Sequence, residues 1–142
     1  MLLARVWDQL ALATYCITAE PVLSLVDPSK LATAFPWLPT PLRKLPHVLQ
    51  LDDPTQPVRL IRVDLGGTPD HVAIKAKRDI KMRETVGGYR ALLEARRLTL
   101  VVITSTEIKS GLIKEAIRKR DWPKNMRFQV VVVDDLFTLL GC

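Results

Sequence analysis

A chain of 142 residues, 48% hydrophobic and 25% charged, has the size of one ordinary folded domain and is too apolar to stay disordered. Its two cysteines, Cys16 and Cys142, exclude a disulfide scaffold and fit a reducing compartment. No uninterrupted apolar run approaches the roughly 18 residues of a membrane span, so no membrane partner and a cytoplasmic setting are expected. The formal charge of +6 favours an anionic partner, and it is uneven: residues 72–125 hold 14 Lys and Arg against 6 acids. A local surplus of that size is what a nucleic-acid footprint requires, although membrane-surface, ribosomal and plain solvated-face readings share it.

Residues 2–18 place Leu3, Val6, Leu10, Ala13 and Ile17 three and four positions apart, which predicts a helix with that face on the core. Arg5, Asp8 and Gln9 interrupt the run and no basic leader precedes it, so a core helix is expected in place of a signal peptide. Glu20-Pro21 ends it, because proline forces the preceding residue out of helical geometry. Val22–Val26 fits a short strand, Asp27-Pro28-Ser29 a turn, and Lys30–Phe35 one or two helical turns. Trp37 and Leu38 sit in a proline-rich crossing; a core or lid role is expected there, with base stacking by Trp37 as the alternative.

Pro46–Leu51 and Val58–Leu65 are the two central strands, linked by residues 53–57. Alternation in the second puts Arg62 and Asp64 on one face. Gly66-Gly67 permits a bend, and Thr68-Pro69 suits a helix N-cap and first position. A long basic helix is predicted over about Lys75–Arg97, with Met82, Val86, Tyr89 and Leu93 facing the core and Lys77, Arg78, Lys81, Arg83 and Arg90 on the other sides. Gly87-Gly88 weakens it and predicts close packing or a kink there. Leu98–Thr104 reads as a buried strand, and residues 104–107 resemble a capping box. Ile108, Leu112, Ile113, Ala116 and Ile117 form the stripe of a further helix ending in Arg118-Lys119-Arg120. Arg127–Val133 is a final buried strand, with Asp134-Asp135 opening a closing segment. The order predicts one mixed α/β domain over residues 1–142.

The pattern Pro46-His47-Val48-Leu49, Arg62-Val63-Asp64-Leu65-Gly66-Gly67-Thr68, the basic helix with Tyr89-Arg90-Ala91-Leu92-Leu93, and Leu98–Thr104 resembles the endonuclease-like part of replication-relaxation proteins of plasmids and other mobile elements. Those are similar to the wider PD-(D/E)xK nuclease superfamily. The resemblance covers about Pro46–Ile117. It implies a restriction-endonuclease-like three-layer domain, its central mixed sheet flanked by helices. The family usually carries a winged-helix part ahead of this domain, for which 142 residues leave no room.

In the superfamily two strand acids bind Mg²⁺ and a lysine activates water; carboxylates suit the hard cation, which lowers the pKa of its water. Carried over by position, His47 stands for the first acid, Arg62 for the second and Asp64 for the lysine, so all three depart. The resemblance therefore implies a catalytically degenerate nuclease-like protein that binds DNA. Arg62, Lys75, Lys77, Arg78, Lys81 and Arg83 are its candidate phosphate contacts, and no cofactor is expected. The alternative is an active Mg²⁺-dependent DNA endonuclease with Asp64 as metal ligand, helped by Asp52, Asp53 or Asp70, and with Asp64, His47 and Lys75 catalytic. A third reading is a structural or subunit-assembly domain without DNA contact. Other mobile-element proteins and a homodimer are possible partners. The bland reading of Arg62 and Asp64 is a neighbouring ion pair, that of His47 a hydrogen-bonding strand residue, and that of His71 local capping. P-loop, receiver, serine-hydrolase and zinc signatures are missing.

Overall fold

A computed structural model describes residues 2–18, 24–25, 35–39, 42, 47–49 and 58–133. Its elements are α1 (Leu2–Thr18), β1 (Ser24–Leu25), β2 (His47–Leu49), β3 (Val58–Val63), α2 (Pro69–Glu84), α3 (Gly87–Glu94), β4 (Leu98–Thr104), α4 (Glu107–Arg118) and β5 (Arg127–Val132). The strands form one mixed sheet in the order β1-β2-β3-β4-β5. β1, β2 and β3 run antiparallel to one another, and β3, β4 and β5 are parallel. The protein is thus mixed α/β.

Alternation along the parallel strands sorts the core onto two faces. On one, Leu60, Leu98, Leu100 and Val102 pack with Val72, Ala76 and Ile80 of α2, Tyr89 and Leu93 of α3, and Ile113 and Ile117 of α4. On the other, Ile61, Val101 and Ile103 pack with Ala11, Tyr15 and Cys16 of α1. All seven residues of β4 are buried, because this strand has neighbours on both edges and helices on both faces.

Several expectations are corrected. In α1, among the side chains described, Ala11, Tyr15 and Cys16 are buried whereas Leu10 and Ala13 are exposed; the side chains of Leu3, Val6 and Ile17 lie outside those described. The helix is apolar over much of its circumference, so spacing alone admits two stripes; the one chosen carries Trp7, whose indole N–H donates to the Asp64 carbonyl at 3.2 Å. The basic helix begins at Pro69, with the Thr68 hydroxyl accepting from His71 N–H, and it breaks at Thr85-Val86 into α2 and α3. Met82 is exposed and Arg83 buried, the reverse of the expected arrangement. Gly88 explains the tight packing foreseen there: a Cβ at this position would overlap the Trp37 indole, which stands edge-on to Tyr89 with ring centroids 4.8 Å apart.

Thr106, not Thr104, caps α4, its hydroxyl accepting from Lys109 N–H. The stripe of α4 is narrower than its sequence: Ile113, Ala116 and Ile117 are buried, but Ile108 is 81% and Leu112 53% exposed. β5 is half-buried and is the last of the described strands in the sheet order. The segments 27–34, 50–57 and 134–142 lie outside the described residues, and with them Asp52, Asp53, Asp134, Asp135 and Cys142.

Candidate functional site

The three parallel strands end along one edge, and the polar residues of the sequence gather there. Backbone pairing continues one step past β3, with Asp64 N–H donating to the Ile103 carbonyl at 2.8 Å. Asp64 therefore stands beside Thr104, the last residue of β4. Gly66 follows with φ +109°, a left-handed conformation that L side chains resist. That turn brings Gly66 N–H back to donate to Asp64 Oδ1 at 3.0 Å.

The other carboxylate oxygen, Oδ2, accepts from the Thr104 hydroxyl at 2.8 Å and lies 2.7 Å from Lys109 Nζ in the first turn of α4. The Asp64 side chain is only 3% exposed, and Lys109 24%. Burying a lone carboxylate is costly, and here an ammonium and two donors compensate it. Arg62 shares with Asp64 the face of the sheet that carries α2, α3 and α4, as alternation predicts. The ion pair between them does not form. Arg62 reaches α2 instead, its Nε donating to Asp79 Oδ2 at 2.6 Å and its NH2 group closing on the same oxygen.

Arg62, Asp64, Gly67, His71, Val72 and Lys75 line a cavity of about 240 Å³ at this strand end. Arg62 is balanced by Asp79 and Asp64 by Lys109, so Lys75 is the lining cation with no ion pair among the described residues. His71 is exposed; its backbone N–H serves the helix cap, and its ring lies against Gly67. His47 is paired through its backbone with Leu60 in the sheet.

These residues do not fit a divalent cation. Among the described residues no three His, Cys, Asp or Glu side chains stand together, and the one strand-end carboxylate already faces an ammonium and two hydrogen-bond donors. A metal ion there would have to displace Lys109 and be repelled by it. Asp70, once a possible helper, lies in the first turn of α2 with Arg120 as its neighbour at 4.0 Å.

The expected phosphate contacts divide. Lys75, Lys77, Arg78 and Lys81 are all exposed on α2, with no acidic partner within ion-pair distance among the described residues. Arg83 is 3% exposed: NH1 donates to the Asp79 carbonyl at 2.7 Å, NH2 to the Leu42 carbonyl at 3.0 Å, and the guanidinium lies 5.6 Å from the Tyr89 ring centroid. It is a core cation, unavailable to phosphate. Arg62 is likewise committed to Asp79.

Sequence reasoning missed Asp79, Thr104 and Lys109. Asp79 carried a signal, as the one acid within the basic run 75–83. Thr104 was legible only once parallel pairing of Val63 with Ile103 is known, and Lys109 had no local signal. None of the protein-family models, curated proteins or solved structures compared with this chain matches it. The fold and site define a mixed α/β protein with a charge-compensated strand end beside a helix on which four exposed cations have no acidic partner among the described residues.

Proposed function

We propose that the chain is a nucleic-acid-binding protein of restriction-endonuclease-like architecture, without the divalent-metal chemistry of that architecture. The observation that carries this reading is the set Lys75, Lys77, Arg78 and Lys81: four exposed cations along one helix with no acidic partner among the described residues. Such cations bind phosphates by releasing counterions, in a manner that positions a polyanion without reading its sequence. A three-strand antiparallel run, a helical crossover and two further parallel strands are compatible with the architecture the resemblance implies. On that resemblance the partner is DNA, and the setting is a plasmid or other mobile element in replication, mobilisation or transposition. Arg62 contributes through α2, which its bond to Asp79 anchors to the sheet, and not as a phosphate ligand.

The test is a titration of labelled duplex DNA with the full chain at rising salt. Binding that weakens steeply between about 50 and 200 mM salt supports the reading, and no binding at the lower value removes it. Plasmid nicking that needs Mg²⁺ and disappears in Asp64→Ala would establish the nuclease reading instead. The assembly reading draws on exposed Ile108 and Leu112, one turn apart on α4. A stable dimer indifferent to charge reversal at Lys77 and Lys81 would favour it.

A further inference from the structure

Lys77 and Lys81 do not line the strand-end cavity. With Ile80 and Glu84 of α2, and Asp121 and Trp122 of the loop after α4, they line a second cavity of about 320 Å³. Ligand pockets of small molecules begin near this size. Trp122 is held in place by its own chain. Its indole N–H donates to the Ile117 carbonyl at 2.8 Å, and its ring meets Phe128 at a centroid distance of 4.5 Å. The N–H is used up, so what Trp122 offers the cavity is carbon and π surface. Around that surface stand two ammonium groups and two carboxylates, none of them in an ion pair among the described residues. The adjoining sequence adds the exposed cations Lys119, Lys124 and Arg127.

A ligand that satisfies all of these groups is flat and aromatic, carries a negative charge nearby, and presents hydrogen-bond donors on its edge. An unpaired nucleotide has that chemistry. Its base stacks on an indole, its phosphate meets ammonium groups, and an exocyclic amino group such as that of cytosine donates to a carboxylate. Inorganic phosphate leaves the indole and both acids unused, and a duplex keeps its bases inside the stack. We propose that this cavity holds one unpaired base of a single strand, stacked on Trp122, with the flanking phosphate on Lys77 and Lys81. The proposal rests on the nucleic-acid reading above and adds the strand form that is bound.

The experiment compares a short single-stranded oligodeoxycytidine with a duplex of equal length, titrated against the full chain and its Trp122→Leu and Lys81→Ala variants. Loss of one stacked base corresponds to about tenfold weaker binding. The expected result is that loss for the single strand alone in Trp122→Leu, with Lys81→Ala weakening both forms. In the unaltered chain, the indole N–H resonance of Trp122, assigned by its absence in Trp122→Phe, shifts on adding the single strand while that of Trp7 does not. Unchanged single-strand affinity in a folded Trp122→Leu, or an unmoved Trp122 resonance under saturating oligonucleotide, overturns the base site and leaves the DNA reading standing. A single strand that does not bind while the duplex does overturns the base site alone, and failure of both nucleic acids to bind overturns both readings.

Discussion

Lys109 Nζ lies 2.7 Å from Asp64 Oδ2, an ion pair formed across 45 positions of sequence at the end of the parallel strands. It joins the loop after β3 to the first turn of α4, and Thr104 and Gly66 complete the carboxylate's hydrogen bonds. Breaking a buried pair by removing one partner leaves an uncompensated charge, whereas removing both is far less costly. Lys109→Met is therefore expected to lower unfolding free energy by about 3 kcal/mol, toward the low end because Lys109 is partly exposed. The double variant Asp64→Asn/Lys109→Met should recover most of that loss. Urea unfolding of Lys109→Met, Asp64→Asn and the double variant checks it, and simple additivity of the two single losses would speak against the pairing.

Gly87 and Gly88 are neighbours with opposite constraints. A Cβ at Gly88 overlaps the Trp37 indole, and one at Gly87 meets nothing within 4 Å. Gly88→Ala should cost about 1–3 kcal/mol through overpacking, while Gly87→Ala should be neutral or stabilising by under about 1 kcal/mol. Thermal unfolding of the pair separates them. Equal effects at both positions would mean that Trp37 does not pack on α3.

Burial pushes the Cys16 thiol and the Tyr15 and Tyr89 phenols above their ordinary values of 9.0, 10.0 and 10.0, with Arg59 partly opposing this at Cys16 and Tyr15 and Arg83 at Tyr89. Each group then holds its proton more firmly in the folded chain than in the unfolded one. Their contribution is fully present below the ordinary values and is lost as pH rises past them. Stability should fall from about pH 9 upward and more steeply beyond pH 10. Denaturant midpoints measured from pH 7 to 10.5 check this; a flat or rising profile would contradict the burial of these groups. The same burial predicts that Cys16 in a Cys142→Ser background reacts with a thiol reagent only as fast as the chain opens.

How much of this was legible in the sequence depends on how local each cause is. Leu98–Thr104 reads correctly as a buried strand because seven successive apolar or β-branched residues leave no other assignment. Arg62 and Asp64 share a face, as period-two alternation requires. Their partners, Asp79 and Lys109, could not be read, since both contacts depend on how α2 and α4 return across the sheet. Met82 and Arg83 exchanged places for a similar reason. Burial of Arg83 depends on the Leu42 carbonyl, 41 positions away, and on the Tyr89 ring. Ile108 and Leu112 continue the pattern of α4 beyond the width that the sheet covers, so periodicity overstated the buried stripe.

Arg83 and Lys81 stand two positions apart and should differ in kind. Arg83→Ala removes two carbonyl hydrogen bonds and the contact with Tyr89, so a loss of about 2–4 kcal/mol in stability is expected, with DNA affinity of the folded fraction unchanged. Lys81→Ala should leave stability within about 0.5 kcal/mol and weaken DNA binding. Paired unfolding and binding curves check both; a folded Arg83→Ala with reduced DNA affinity would return that residue to the interface.

The most direct measurement of the central claim is the salt dependence of duplex DNA binding in the intact chain and in Lys75→Ala, Lys77→Ala, Arg78→Ala and Lys81→Ala. Each phosphate contact contributes about 0.9 to the slope of log affinity against log salt. The account predicts a steep slope for the intact chain, reduced by roughly that amount in each variant that removes a contact. A slope that none of the four substitutions changes would mean that the exposed cations of α2 do not hold the polyanion.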